Sequence, residues 1–374
     1  MSALRHVQVA SEDAHGRGRQ YGERAGELIA ASIEVYRETF AYYAELDWSR
    51  VRTLAAEFRD PIAAHDDQIM AEMDGIAAGA GLDPEDILAI NARTEIMFGL
   101  GSKVAPPECT AFFVGPQASA DGHVLIGQNW DWRTRCAETT ILVEVDQGPG
   151  RPAFVMLVEA GLIGKLGFNS AGVGVATNAL VSELDRGRPG IPYHVLLRML
   201  LNAPTLEAAR AAILASDRSA SANYLVGSAD GRAFDAETAP GGADTAFFTE
   251  LGEGVLAHTN HFTCAPAFAD VGGQNWPDST VRMDRMGALL AERSGELTPR
   301  LLAERLRDHE GFPNSLCRHP DPDAPSVEQA MTVASWIVDL TERVALAAGG
   351  PPCEESFEPV TPQFARDPSV RFEP

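Results

Sequence analysis

Nothing in the cysteine pattern suggests pairing. The five cysteines, Cys109, Cys136, Cys264, Cys317 and Cys353, are an odd set scattered over 374 residues, without a CxxC or even spacings. That argues against a disulfide scaffold and against a zinc ribbon. Basic residues are scarce as well: 30 Lys and Arg against 53 Asp and Glu leave a net charge of -23. Neither nucleic acid nor an anionic membrane is then an expected partner. Long apolar runs are also lacking. The longest, FVMLVEAGLIGKLGF, is broken by Glu159 and Lys165, short of the roughly 20 residues of a membrane span, and the opening residues carry no apolar h-region. A cytoplasmic protein with a large core is the expectation, at 45% hydrophobic and 22% charged residues and with no low-complexity tract or internal repeat.

What is present is patterned. GRQYGERAGELIAASIEVYRETFAYYA sets Leu28, Ile29, Ile33, Tyr36 and Phe40 at helical spacing, predicting a helix from Gly18 to about Ala44. Residues 66–80 read as a second helix ending near Gly81. Asp83 reads as the cap of a third, opened by Pro84 and Glu85 and carrying Ile87, Ile90 and Ile96. After Gly99 the chain turns β-rich and glycine-punctuated. CTAFFVG, HVLIGQNW, TTILVEV and PAFVMLVEA predict strands, and GLIGKLGFNSAGVGVATNAL two more whose glycines mark close backbone approach. IPYHVLLRMLLNA and TLEAARAAILAS predict helices, the second capped by Thr205, and SANYLVGSADGRAFDAET predicts a hairpin turning at Asp230-Gly231. FFTE and GVLAHTNHF follow as strands, STVRMDRMGALLAERS and TPRLLAERLRDHE as helices, and MTVASWIVDLTERVALAAGGPP as a strand pair. Strand groups separated by helix pairs, without strict β-α-β alternation, indicate an α+β fold with antiparallel sheets.

Cys109 opens the strand CTAFFVG behind Pro106, Pro107 and Glu108, a stretch that cannot be helical. A free thiol there is either a small buried hydrophobe or a nucleophile facing a cleft. If the peptide bond before it were cut, residue 109 would own both a thiol and an α-amine, whose pKa of about 7.7 to 8.0 suits a general base. A metal is not expected. His258 and His261 could be joined by His319, but histidines at i and i+3 of a strand face opposite sides and no third close ligand follows. Cys136, Cys264, Cys317 and Cys353 read as structural thiols. The glycines from 161 to 174 lack the Lys-Ser/Thr ending of a phosphate loop.

In chain order, GRQYGERAGELI, NARTEI, CTAFFVG, GQNWDW, AHTNHF and NSLCRH resemble the acyl-coenzyme A:6-aminopenicillanic acid acyltransferase family, also called the C45 peptidase family, of N-terminal-nucleophile hydrolases. The resemblance covers most of the chain. It implies a four-layer αββα fold and an inactive precursor that cuts itself between Glu108 and Cys109. The products are an α chain, 1–108 and mainly helical, and a β chain with its core over 109–360 and a tail over 361–374. It implies Cys109 as nucleophile, Asp131 in GQNWDW beside the α-ammonium, Asn260 in HTNHF as oxyanion donor, and Arg318 in SLCRH as the family's arginine. Arg282 and Arg285 compete for that last place. Thr110, Asn129, Arg93 and Glu95 are supporting candidates, although Thr110 equally reads as a plain strand residue and Arg93 and Glu95 as a solvated helix face. Glu108 stands where the best-known members carry glycine.

The activity implied is hydrolysis of a linear amide, an N-acyl amino acid or related N-acyl amine, through an S-acyl-Cys109 intermediate. The alternative is acyl transfer from a coenzyme A thioester to an amine such as 6-aminopenicillanic acid, and a third is an unprocessed, non-catalytic homologue. No cofactor is implied, apart from coenzyme A thioester as acyl donor in the alternative. The partners implied are a small amide or acyl substrate and the α and β chains of one precursor.

Overall fold

Residues 4–100, 108–251 and 254–366 are described in the computed structural model of the chain; the predicted Pro106-Pro107 loop lies outside them. The alternating apolar segments become β1 (Arg5–Ala10), β2 (Glu108–Val114), β3 (Leu125–Arg133), β4 (Thr140–Asp146), β5 (Phe154–Glu159), β6 (Leu166–Asn169) and β7 (Val173–Ala179). They continue as β8 (Ala222–Ser228), β9 (Ala233–Thr238), β10 (Ala246–Leu251), β11 (Val255–His258), β12 (Ala330–Asp339), β13 (Val344–Ala348) and β14 (Glu358–Val360). An eight-stranded sheet has the order β1-β4-β5-β6-β7-β8-β9-β10 and a six-stranded sheet the order β11-β2-β3-β12-β13-β14. Among the fourteen described strands, neighbours pair antiparallel except β1 with β4, where Arg5 lies beside Ile141 and Ala10 beside Asp146.

That first strand departs from the mainly helical reading of the N-terminal segment. Its inward pattern amounts to only Val7 and Val9 on an edge strand, too short a period-two signal to stand out from polar neighbours. Beyond it the segment is helical. The helix Ala14–Tyr43 starts four residues earlier than the apolar spacing indicates, because Asp13 caps it by accepting from the Gly16 amide. It packs on the helix Asp67–Ala80 through paired glycines. A Cβ added to Gly18 would lie 1.9 Å from the Glu72 carbonyl oxygen, and one on Gly79 2.1 Å from that of Arg19, so the two backbones touch. The third predicted helix is two, Pro84–Asn91 and Arg93–Leu100. Asp83 occupies its cap position without a capping hydrogen bond and pairs with Arg52 at 2.7 Å.

Helices Ala14–Tyr43, Tyr193–Leu201 and Leu206–Ala215 cover the large sheet, while Asp278–Glu292 and Pro299–Arg305 cover the small one. The sheets face each other through β2, β3, β7 and β8, giving four layers, αββα. Alternation on β2 splits its side chains between two cores. Cys109, Ala111 and Phe113 belong to the cluster between the sheets, and Phe112 and Val114 to the one with Met286, Leu289 and Leu290 of the outer helix. No helix among the described residues is long and apolar enough to cross a membrane.

Candidate functional site

Cys109 sits at the start of β2, buried and unpaired by any disulfide. Its main chain is gripped from three directions. The amide N–H donates to Asn260 Oδ1 at 2.9 Å, and the carbonyl accepts from Asn178 Nδ2 at 3.0 Å and from Arg282 Nη1 at 2.9 Å. Arg282 also donates to Thr110 Oγ1 at 3.1 Å and to Asn260 Oδ1 at 3.0 Å. Thr110 is thus a contact of the site, made possible because alternation turns it toward the helix that carries Arg282.

Each of these groups is itself held. Asn260 lies two residues past the end of β11, where its N–H donates to Ser279 Oγ at 2.7 Å and its Nδ2 to the Ala179 carbonyl at 3.0 Å. Glu237 anchors the same loop by accepting from His258 at 2.8 Å and from the Cys264 amide at 2.7 Å. Burial alone would raise the Glu237 pKa, yet the hydrogen bond and charge of His258 bring it down to about 2. His258 is in turn raised, against its burial, by Asp235 and Glu237. Because the chain leaves the strand after His258, the rings of His258 and His261 stack at 6.4 Å; the opposite-face expectation holds only for a continuous strand.

Of the three arginines weighed from sequence, Arg282 is the one that holds Cys109. Its Nε pairs with Asp278 at 3.0 Å. Arg318, the arginine singled out by the SLCRH motif, reaches the same Asp278 oxygen at 2.8 Å. Arg285 pairs with Asp308 and Glu310. Asp131 faces Glu108 across the β2–β3 ladder, buried, with Oδ1 accepting from Thr332 Oγ1 at 2.6 Å. Cutting before Cys109 would therefore free the amine beside Asp131. Asn129 braces the neighbouring loop, donating to the Leu306 and Leu316 carbonyls at 2.8 and 2.7 Å.

Beneath Cys109 lie charges inside the core. Lys165 is buried with its ammonium 4.8 Å from the Trp130 ring and 5.3 Å from that of Tyr193. Burial, then the charge of Arg93, lowers its pKa to about 8. Burial likewise pushes the Cys109 thiol up to about 11, with Lys165 opposing, so the uncleaved chain holds it protonated at neutral pH. Arg93 and Glu95 are buried, not solvated. Arg93 pairs with Glu159 at 2.7 Å and lies over Tyr36 and Trp132; Glu95 accepts from the Tyr193 amide at 2.7 Å and is pushed by burial to about 7.

Lys165 and Asn178 are contributors the sequence reading passed over. Lys165 and Glu159 were visible as the charges interrupting the longest apolar run, where an ionised group must find partners. Asn178 carried no signal beyond being a polar residue on an apolar strand. The open surface groove of about 440 Å³ lined by Leu4, His6, Glu358 and Arg366 contains none of these residues.

Comparison with known proteins follows the same lines. The family model described as acyl-coenzyme A:6-aminopenicillanic acid acyl-transferase matches residues 118–349. The 40 kDa form of acyl-coenzyme A:6-aminopenicillanic-acid-acyltransferase from Emericella nidulans is 34% identical over 315 residues, 80% of this chain and 81% of that protein. Among solved structures, a variant of conjugated bile acid hydrolase from Clostridium perfringens aligns with 64% of this chain and 89% of its own, at 12% identity and a TM-score of 0.44. Penicillin V acylase from Agrobacterium tumefaciens covers 64% of this chain and 82% of its own, at 14% identity and a TM-score of 0.38. Likenesses of that size transfer no residue roles.

Proposed function

The chain belongs to the acyl-coenzyme A:6-aminopenicillanic acid acyltransferase family, and we propose that it is a self-processing N-terminal cysteine amidohydrolase acting on a linear amide. In the precursor the Cys109 sulfur attacks the Glu108 carbonyl carbon, the Cys109 nitrogen leaves as an amine, and water hydrolyses the resulting thioester. The α chain, 1–108, and the β chain from Cys109 onward then stay together, since β1 is paired along its length with β4.

In the mature form the α-amine accepts the thiol proton, and the thiolate attacks the acyl carbon of the substrate. The tetrahedral oxyanion takes hydrogen bonds from the Asn178 or Asn260 amide groups, the amine product departs with a proton, and water releases the acyl group from sulfur. Asp131, opposite the vacated Glu108 position, orients the ammonium. Arg282 fixes the nucleophile's carbonyl, and Arg318 holds Arg282's partner Asp278. No cofactor enters these steps.

The observation that carries this reading is the convergence of Asn178, Asn260 and Arg282 on the main chain of one cysteine. A core thiol packed for volume needs no such grip. The acyltransferase activity for which the Emericella nidulans relative is named favours a second reading, in which an amine replaces water and the acyl donor is a coenzyme A thioester. Incubating purified protein with an N-acyl amino acid, and separately with acyl-coenzyme A and 6-aminopenicillanic acid, decides between them. Free acid from the first identifies the hydrolase, and N-acyl product from the second the transferase. If wild type and Cys109→Ala gave equal turnover, both readings would fail.

A further inference from the structure

Two of the four thiols set aside as structural come together with two imidazoles at the edge of the small sheet. His309 Nε2 lies 3.2 Å from His319 Nε2, Cys317 Sγ 3.6 Å from the same nitrogen, and Cys353 Sγ 3.3 Å from it. One ligand atom from each of the four residues falls within 4.8 Å of all the others. In sequence they are invisible as a set, separated by seven, one and 33 residues.

Hydrogen bonding does not account for the cluster. A single imidazole nitrogen offers one proton or one lone pair, yet three polar atoms close on His319 Nε2. The three separations from His319 Nε2 are close to the edges that meet at one corner of a metal-centred tetrahedron. With metal–nitrogen bonds of about 2.05 Å and metal–sulfur bonds of about 2.3 Å, those edges are about 3.3 Å between nitrogens and about 3.6 Å between nitrogen and sulfur. We infer that His309, Cys317, His319 and Cys353 form a closed Cys2His2 site for a zinc ion, distinct from the Cys109 site.

The surroundings are those of a metal ligand set. Glu354 Oε1 lies 3.5 Å from His319 Nδ1, the carboxylate-to-imidazole arrangement that orients a ligating histidine. Phe312, 63% exposed, covers both imidazoles, with ring centroids 6.1 Å from His309 and 5.4 Å from His319. The backbone is already set: the Cys317 amide donates to the Asp308 carbonyl at 3.0 Å, and Arg307 Nε to the Pro352 carbonyl at 2.8 Å. Binding displaces two thiol protons and leaves two thiolates and two neutral imidazoles on one divalent ion. Four protein ligands leave no open position, so the ion is structural. It ties the 351–355 turn to the segment that carries Arg318 and the Leu306 and Leu316 carbonyls held by Asn129.

Cobalt titration of the reduced, chelator-treated full-length protein tests this. The expected result is one equivalent of Co²⁺ per chain, with the strong visible bands of tetrahedral cobalt and a thiolate charge-transfer band. Both should persist in Cys109→Ala and Cys264→Ser and be lost in Cys353→Ser and in His309→Ala, two exposed positions whose replacement leaves the core intact. Glu354→Gln should weaken binding about 10-fold or more. Weak octahedral bands, stoichiometry that follows Cys109, or a Cys317–Cys353 disulfide in the non-reduced peptide map of native protein would each overturn the inference.

Discussion

Two corners of this molecule use cysteine, and they differ in everything but the residue. At Cys109 a single thiol is buried and held through its own main chain by Asn178, Asn260 and Arg282. At Cys317 and Cys353 the main chain is ordinary loop, and the side chains converge with two imidazoles. The first arrangement fixes the position of one atom in a dry place while leaving it uncoordinated, as a nucleophile requires. The second saturates its sulfurs, as a structural ion requires. What surrounds a thiol, not its presence, decides its chemistry.

The largest effect that can break this comparison is removal of the Cys109 sulfur. Cys109→Ala should leave a single uncut chain and lower turnover by about 10⁴-fold or more, read on a denaturing gel and by product formation, while cobalt binding survives. Next come the residues that grip the nucleophile. Arg282→Ala should cost about 100-fold in kcat, and Arg318→Ala clearly less, because Arg318 acts through Asp278. Equal losses, measured as kcat on processed enzyme, would erase the distinction drawn between the two arginines.

A third effect is pH dependence of processing. Burial holds the Cys109 thiol at about 11 in the uncut chain, so the thiolate fraction, and with it the rate of self-cleavage, should rise about tenfold per pH unit from 7 to 10. A flat rate profile over that range would show that another group sets the step.

The smallest effect is on stability beneath the site. Glu95 is raised from 4.5 to about 7 by burial, so between those values the folded chain keeps a proton that the unfolded chain has released. Stability therefore falls as pH rises through that window, by about 3 kcal/mol in all. Glu95→Gln, which keeps an acceptor for the Tyr193 amide, should flatten this part of the pH dependence of chemical denaturation.

Most strands after residue 108 were legible because each is a short apolar run closed by a turn residue, and the Asp230-Gly231 hairpin needed nothing more. β1 was not, since two inward valines on an edge carry too little periodicity. CTAFFVG, GQNWDW and HTNHF singled out Cys109, Asp131 and Asn260, and the fold brings these segments together: β2 and β3 are ladder neighbours, and Asn260 follows β11, the other neighbour of β2. The arginine was harder. SLCRH is the better motif, but Arg282 comes from a helix whose inward face is set by packing of Met286, Leu289 and Leu290 against β2, a relation between segments about 170 residues apart. The Cys2His2 corner was illegible for the same reason, its ligands being brought together by the fold and not by spacing.

Intact mass spectrometry of freshly purified wild-type protein over days at neutral pH tests the central claim most directly. Two chains, with a break between Glu108 and Cys109 and a β chain starting at Cys109, are the result expected here. A wild-type chain that stays whole, or one cut elsewhere, would contradict it.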